Sequence, residues 1–317
     1  MFKNFKVYNI QIEASLNDIS RLNELVKEFV CPNTSPTKLK TVGVARPFEQ
    51  IDPTTNFIEN IEGYGYGHVR VEERTALRGH VSIALNKEVK RRQSAGETIT
   101  SRELRKIKRD VKAQVKASSQ PSEALIPYVI NLQTKELWVI TPNIKYQKDV
   151  TNLFAGMGIP SMERTLSLQL EFELTNLVKE PNRLPEHFDL GYSCQMKHLG
   201  EKSMVTYRRQ ELSSEEVMTN INKAKDINRI QLVYRDSIAF QIRQSQDITA
   251  LSYNIGDVNE FLEIDLSDDD EVDYLGKQRS IVGFHIQCLS HLIPKIYSIF
   301  CTLEKGQDEF VVEEIGA

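Results

Sequence analysis

A chain of 317 residues can bury a sizeable core, and 40% hydrophobic with 26% charged residues excludes a disordered or fibrous polypeptide. A formal net charge of -4 excludes a uniformly basic nucleic-acid coat, so any polyanion site must come from charge segregated along the chain. Cys31, Cys194, Cys288 and Cys301 form no CxxC pair, which excludes a zinc knuckle or dithiol motif and reads as buried thiols in a reducing compartment.

Residues 5–13 alternate, with Tyr8, Ile10 and Ile12 on one side, and read as a strand. Asn17 then offers an N-cap to an amphipathic helix in which Ile19, Leu22, Leu25, Val26 and Phe29 recur until Pro32 and Pro36. A turn-rich stretch follows. The run Gly63-Tyr64-Gly65-Tyr66-Gly67 lacks the GxGxxG spacing and the Lys-Ser/Thr of a phosphate loop, so it reads as a turn entering a strand at 66–73. Two helices, 80–93 and 101–116, are separated at Ser94-Ala95-Gly96. Thr100 and Glu103 supply a capping box for the second, whose apolar face is Leu104, Ile107, Val111 and Val115.

Strands at 127–132 and 136–141 flank Gln133-Thr134-Lys135 as a hairpin, with Trp138 in the core. A short helix at 148–156, a strand at 166–174 and a lobe boundary at 181–185 come next. Ser213 and Glu216 read as a second capping box ahead of Val217, Ile221 and Ala224. Strands 229–235 and 237–243 pair across Asp236-Ser237, 249–254 adds a third, and 278–300 closes the chain as an apolar helix kinked or broken at Pro294. His285, Gln287, His291, Pro294 and Lys295 interrupt this tract, which argues against a membrane span. With no secretory signal at the N-terminus, a cytoplasmic location is expected. The pattern predicts an α+β fold of mixed antiparallel sheets with flanking helices, in approximate lobes 1–78, 79–120, 121–200 and 201–317.

Charge is concentrated between residues 87 and 116. Eleven bases stand there (Lys87, Lys90, Arg91, Arg92, Arg102, Arg105, Lys106, Lys108, Arg109, Lys112 and Lys116) against the four acids Glu88, Glu97, Glu103 and Asp110, which leaves +7. On a helical wheel Arg102, Arg105, Arg109, Lys112 and Lys116 form a stripe roughly 130° from the apolar one. Such a stripe suits DNA, because each cation near a phosphate releases condensed counterions without reading a base. The alternative is a solvated face, but exposed soluble helices usually mix charge signs, and i,i+4 acid partners are scarce here. A second basic patch, with Lys202, Arg208, Arg209 and Gln210, precedes the helix after Ser213, and Lys223, Lys225 and Arg229 follow it. Strand-edge cations that discourage sheet aggregation are the alternative there.

These features together resemble the RdgC family of recombination-associated DNA-binding proteins. The resemblance runs end to end. It includes the opening Phe2-Lys3-Asn4-Phe5-Lys6-Val7-Tyr8, the basic helical pair, the hairpin around Trp138 and the closing apolar helix. Its most specific piece is Arg209-Gln210-Glu211-Leu212-Ser213-Ser214-Glu215-Glu216-Val217. The resemblance implies a ring-shaped homodimer whose positively charged hole encircles duplex DNA and limits RecA access, on the nucleoid. It also sets Arg209 and Gln210 at the family's DNA-contacting basic-Gln pair. One departure is Ser119-Gln120-Pro121, where the family carries an Arg-x-Phe tip. The expected contact residues are Lys87, Lys90, Arg91, Arg92, Arg102, Arg105, Lys106, Arg109, Lys112, Lys116, Arg208, Arg209 and Gln210. DNA is the expected partner, duplex ahead of single strands, because aromatic side chains for stacking are absent from the basic helices.

The competing reading is a metal-dependent nuclease. Asp265, Asp268, Asp269, Asp270, Glu271 and Asp273 are nearly consecutive, whereas a two-metal site needs carboxylates converging from separate elements. An EF-hand would need Gly where Asp270 stands. His187, Cys194 and His198 are the nearest approach to a ligand cluster but lack a second Cys pair, and no HExxH occurs. No catalytic residue and no cofactor is therefore expected.

Overall fold

The computed structural model describes residues 2–311 except 36, 199, 201, 202, 255 and 257–273, with side chains described as far as residue 300. Among the described residues, two antiparallel sheets pack with six shorter α-helices and one long one.

The first sheet has seven strands in the order β2-β4-β5-β6-β1-β7, with β3 also paired to β4. They are β1 (Lys6–Ile10), β2 (Lys40–Ala45), β3 (Ile58–Ile61), β4 (Tyr64–Arg74), β5 (Pro121–Asn131), β6 (Glu136–Val139) and β7 (Ser161–Glu163). Alternation gives the sheet two apolar faces. Tyr8, Val69, Val71, Ile126, Tyr128 and Leu137 pack beneath α1 (Ile19–Val26) and α4 (Ile144–Gly156), meeting Leu22, Val26, Val150 and Phe154. Phe5, Val7, Tyr66, Val129 and Trp138 point the other way, into the larger core.

The glycine run acts in this packing. Glu62 and Gly63 take positive φ at the turn, after which Tyr64 and Tyr66 face the larger core. A Cβ on Gly67 would come within 2.4 Å of the buried Tyr128 hydroxyl, so only glycine fits.

The second sheet, β12-β11-β10-β8-β9, comprises β8 (Phe188–His198), β9 (Met204–Arg208), β10 (Lys225–Tyr234), β11 (Ile238–Arg243) and β12 (Ile248–Tyr253). Its inner face, including Ile230, Leu232, Phe240 and Ile242, shares the larger core with α5 (Leu170–Lys179), α6 (Glu215–Asn222) and the final helix α7 (Tyr274–Val311). The two sheets are sewn together at Phe5 and Ile248, whose backbones exchange hydrogen bonds of 2.9 and 3.2 Å. Helix α7 is pinned from several sides. Arg279 pairs with the buried Glu59 at 2.6 Å, Tyr253 bonds His285, Tyr234 bonds His291, and Arg164 lies 3.9 Å over the Tyr297 ring. Among the described residues no helix is long and apolar enough to cross a membrane.

Several expectations need correction. Residues 166–174 do not form a strand: Leu170, Leu174, Leu177 and Val178 recur at helical spacing on the buried side of α5, and the apparent alternation before them belongs to a turn. Helix α1 is capped by Asp18, whose carboxylate accepts from Ser20 N, not by Asn17. Ser214, not Ser213, occupies the N-cap of α6, and it caps through no side-chain bond. Helix α7 runs unbroken through Pro294. The stretch taken as turns contains β2, and strands β8 and β9 were not foreseen.

Candidate nucleic-acid interface

The basic helices are α2 (Arg78–Ser94) and α3 (Ser101–Ser118), and their placement follows from the β4–β5 ladder. That ladder ends at the pair Arg74 and Pro121. The chain leaves the sheet there, runs out along α2 and returns along α3, so the pair stands as an antiparallel arm roughly 25 Å long at 1.5 Å per residue. The capping box that opens α3 is formed: Glu103 N donates to Thr100 Oγ1 at 3.3 Å and Thr100 N donates to Glu103 Oε2 at 2.8 Å.

The arm has a thin apolar seam. Only Val81 of α2 and Ile107 and Val111 of α3 are buried, while Ile83 is 70% and Leu104 42% exposed. The buried arc is therefore narrower than the predicted face, and the polar arc is wider. Lys106 and Lys108 both lie in it, the second being left out of the predicted contact set.

Acids on the arm are nearly all engaged locally. Glu88 receives both Arg91 and Arg92 at 2.8 Å, and those hydrogen bonds hold its carboxyl at about 2. Arg92 also reaches Glu97 at 3.6 Å, and Arg109 reaches Asp110 at 3.6 Å. Glu103 is occupied by the cap, whose hydrogen bonds from Thr100 lower its pKa. Lys116, half-buried at the foot, lies 3.9 Å from Glu73. Lys87, Lys90, Arg102, Arg105, Lys106, Lys108 and Lys112, seven in all, are exposed and make no ion pair among the described residues. Such a surface offers unneutralised donors along a rod, and rods of opposite charge are its natural complement.

Ser119-Gln120-Pro121 stands at the foot of the arm, not at an outer tip. Arg74 there donates to the carbonyls of Ala117 and Ser119, anchoring the end of α3 to the sheet. The outward turn is 95–100 instead.

The second predicted patch belongs to the other sheet. Arg208 ends β9, and Arg209 follows in the left-handed region at φ 55, turning the chain toward α6. Gln210 is fixed by three bonds: its N–H donates to Tyr192 O at 3.1 Å, and its amide donates to Ser214 Oγ and to Glu216 Oε2 at 3.1 Å each. Arg208 and Arg209 remain exposed. Lys202 lies outside the described residues. No hydrogen bond or ion pair links this patch with the arm among the described residues, so the predicted contacts form two separate surfaces on one chain.

A family model described as "Putative exonuclease, RdgC" matches residues 1–301. The chain belongs to the RdgC family. A relative named "Recombination-associated protein RdgC", from Shewanella loihica, is 21% identical over 266 residues, which cover 80% of this chain and 84% of that protein. The RdgC match thus takes in both sheets, the arm and α7 as far as Cys301.

The word exonuclease directs attention to carboxylates. Among the described residues of this RdgC chain, no group of three or more His, Cys, Asp or Glu side chains is placed to hold a metal ion, and His187, Cys194 and His198 form none. Buried acids are spent on structure: Glu59 on Arg279, Glu136 on Arg164 and Trp138, and Asp247 on Gln147 and Ser245. The acidic run at 265–273 lies outside the described residues. Cys194 and Cys288 are buried, and burial pushes their thiols up to about 11 and about 12, far from nucleophilic range.

Proposed function

We propose that this chain is a sequence-nonspecific DNA-binding protein that takes duplex ahead of single strands, works as a ring-shaped homodimer around DNA, and modulates homologous recombination by limiting RecA access. The observation that carries the reading is the arm, with seven exposed, unpaired cations within 87–116 and only local employment for its acids. A helix kept soluble by charge alone has no need to leave so many cations without a carboxylate partner. The family relative's name supports the link to recombination. The arm, 78–118, contains no Phe, Tyr or Trp, which favours phosphate contacts on duplex over base stacking. Exposed Leu77, Ile83 and Leu104 on or beside the arm supply apolar area for a second copy of the chain. A cytoplasmic, nucleoid-associated location follows from that role.

The test is binding to a fluorescent random-sequence duplex across a salt series, with EDTA and unlabelled competitors in parallel. Log affinity should fall linearly with log salt, with a slope of about -4 to -8, unaffected by chelator or competitor sequence. Absence of binding at low salt would overturn the proposal. The family model's description makes nuclease activity the second reading, and magnesium-dependent shortening of the duplex would select it.

A further inference from the structure

The outer face of the second sheet carries two transverse rows of polar side chains. Pairing aligns Thr206 on β9, Gln195 on β8, Arg229 on β10 and Arg243 on β11 in one row. Two residues along, Arg208, Ser193, Gln231 and Gln241 form the next. Gln231 belongs to this row because Ser193 Oγ donates to its Oε1 at 3.1 Å, while Gln241 Nε2 donates to Ser193 Oγ at 3.3 Å. Gln195 Nε2 donates to Thr206 Oγ1 at 3.1 Å. Inward neighbours Cys194, Ile230 and Ile242 are buried, so strand alternation turns these eight side chains away from the core.

Neither row contains a carboxylate. Arg208, Arg229 and Arg243 make no side-chain hydrogen bond or ion pair among the described residues, and Arg243 Nε is buried without a partner. Burial, with Arg243 and Arg208 as like-charged neighbours, lowers the pKa of Arg229. Three guanidiniums are thus held close together against their own repulsion. Folding gains nothing from that arrangement, whereas an anion laid across the strands would relieve it.

We propose that this sheet face is a second polyanion-binding platform, on which Arg208, Arg229 and Arg243, flanked by amide and hydroxyl groups, grip the phosphodiester backbone of DNA. The inference rests on the DNA-binding reading and gives it a surface other than the arm. A nucleic acid fits better than an acidic protein. The rows offer guanidinium, amide and hydroxyl groups and no carboxylate, with no apolar or aromatic side chain among the eight of the kind that protein interfaces need at their centre. The platform also runs directly into Arg209 and Gln210 at the end of β9.

The full chain, the double variant R229Q/R243Q and the single variant Q195E should be compared by duplex binding across the same salt series and by thermal melting. R229Q/R243Q is expected to flatten the log–log salt slope by about 2, at roughly 0.9 per phosphate contact, with a melting temperature equal to or above the parent's. Q195E keeps every arginine but sets a carboxylate opposite Arg229. It should flatten the slope by about 1 and raise the melting temperature, which covers the case in which the double variant folds poorly. If the parent binds and both variants keep its slope and affinity, the platform is wrong while the DNA reading stands. If polyglutamate displaces the duplex as effectively as unlabelled DNA does, an acidic protein is the partner and the platform proposal falls. If the parent binds no duplex, the DNA reading itself fails, and the platform with it.

Discussion

Neutralising part of the arm gives the sharpest account of what its charges do. Arg105, Lys106 and Lys112 are exposed and unpaired, so R105Q/K106Q/K112Q removes three of the seven free cations within 87–116 without stranding a carboxylate. If each of those seven meets one phosphate, that stretch gives a slope per protomer of about -6, and affinity drops by nearly four decades between about 50 and 200 mM salt. With four left, the slope becomes about -3.6 and the drop about two decades. Folding should be untouched, within about 0.5 kcal/mol, because these side chains bury nothing. Fluorescence anisotropy on a random duplex measures the slope, and urea unfolding measures the stability. An unchanged slope in a folded variant would refute the assignment of DNA contact to α3, and would throw the weight onto the second sheet.

Three other outcomes follow from the packing. His68 and His285 are kept neutral by burial, both at about 4, against the ordinary 6.5. Unfolding lets them bind protons, so stability is full above about pH 6.5 and declines as pH falls toward 4, by on the order of 3 kcal/mol per histidine; urea titrations between pH 7 and 4.5 should show the loss. Replacing Arg279 by Ala leaves the carboxylate of Glu59 buried without its cation and should cost about 3 kcal/mol in chemical denaturation, an effect that a change at an exposed arm lysine would not reproduce. At Arg209, with φ 55, substitution by Gly should leave the melting temperature close to the parent's, whereas Val should destabilise by at least about 1 kcal/mol, because a β-branched side chain does not tolerate the left-handed region. Equal melting of the two variants would count against the strained turn.

Features governed by neighbours in sequence were legible before any fold was known. The Thr100–Glu103 box, the hairpin about residues 133–135 and the turn between β10 and β11 all depend on a few adjacent residues; the first two form as read, and the third forms over Arg235-Asp236-Ser237, one residue wider than the Asp236-Ser237 read for it. The reading failed where partners are distant. Strand β2 is held by its ladder to β4, from Lys40 opposite Glu73 to Ala45 opposite His68, and nothing within 40–45 alone announces that pairing. Residues 166–174 misled because a few alternating positions imitate a strand, while the docking of α5 on β10 favours the helix. The box read at Ser213 and Glu216 does not form: Ser214 holds the N-cap position, and its hydroxyl and the Glu216 carboxylate both accept from Gln210, a cross-loop arrangement with no local signature.

By itself the sequence determined the segregation of charge, because +7 within 87–116 is a property of composition and helical period, and it determined the end-to-end family pattern. Only the tertiary structure decided which of those charges are free. Glu88 takes up Arg91 and Arg92 within a single helix, whereas Lys116 finds Glu73 across the foot of the arm. It also brought Arg208, Arg229 and Arg243, spread over 35 positions, onto one sheet face from the three strands β9, β10 and β11, with β8 between the first two. The physical reason is that helix faces repeat over a few residues and can be read along the chain, while a sheet face is assembled sideways by hydrogen bonds between strands that the sequence does not order.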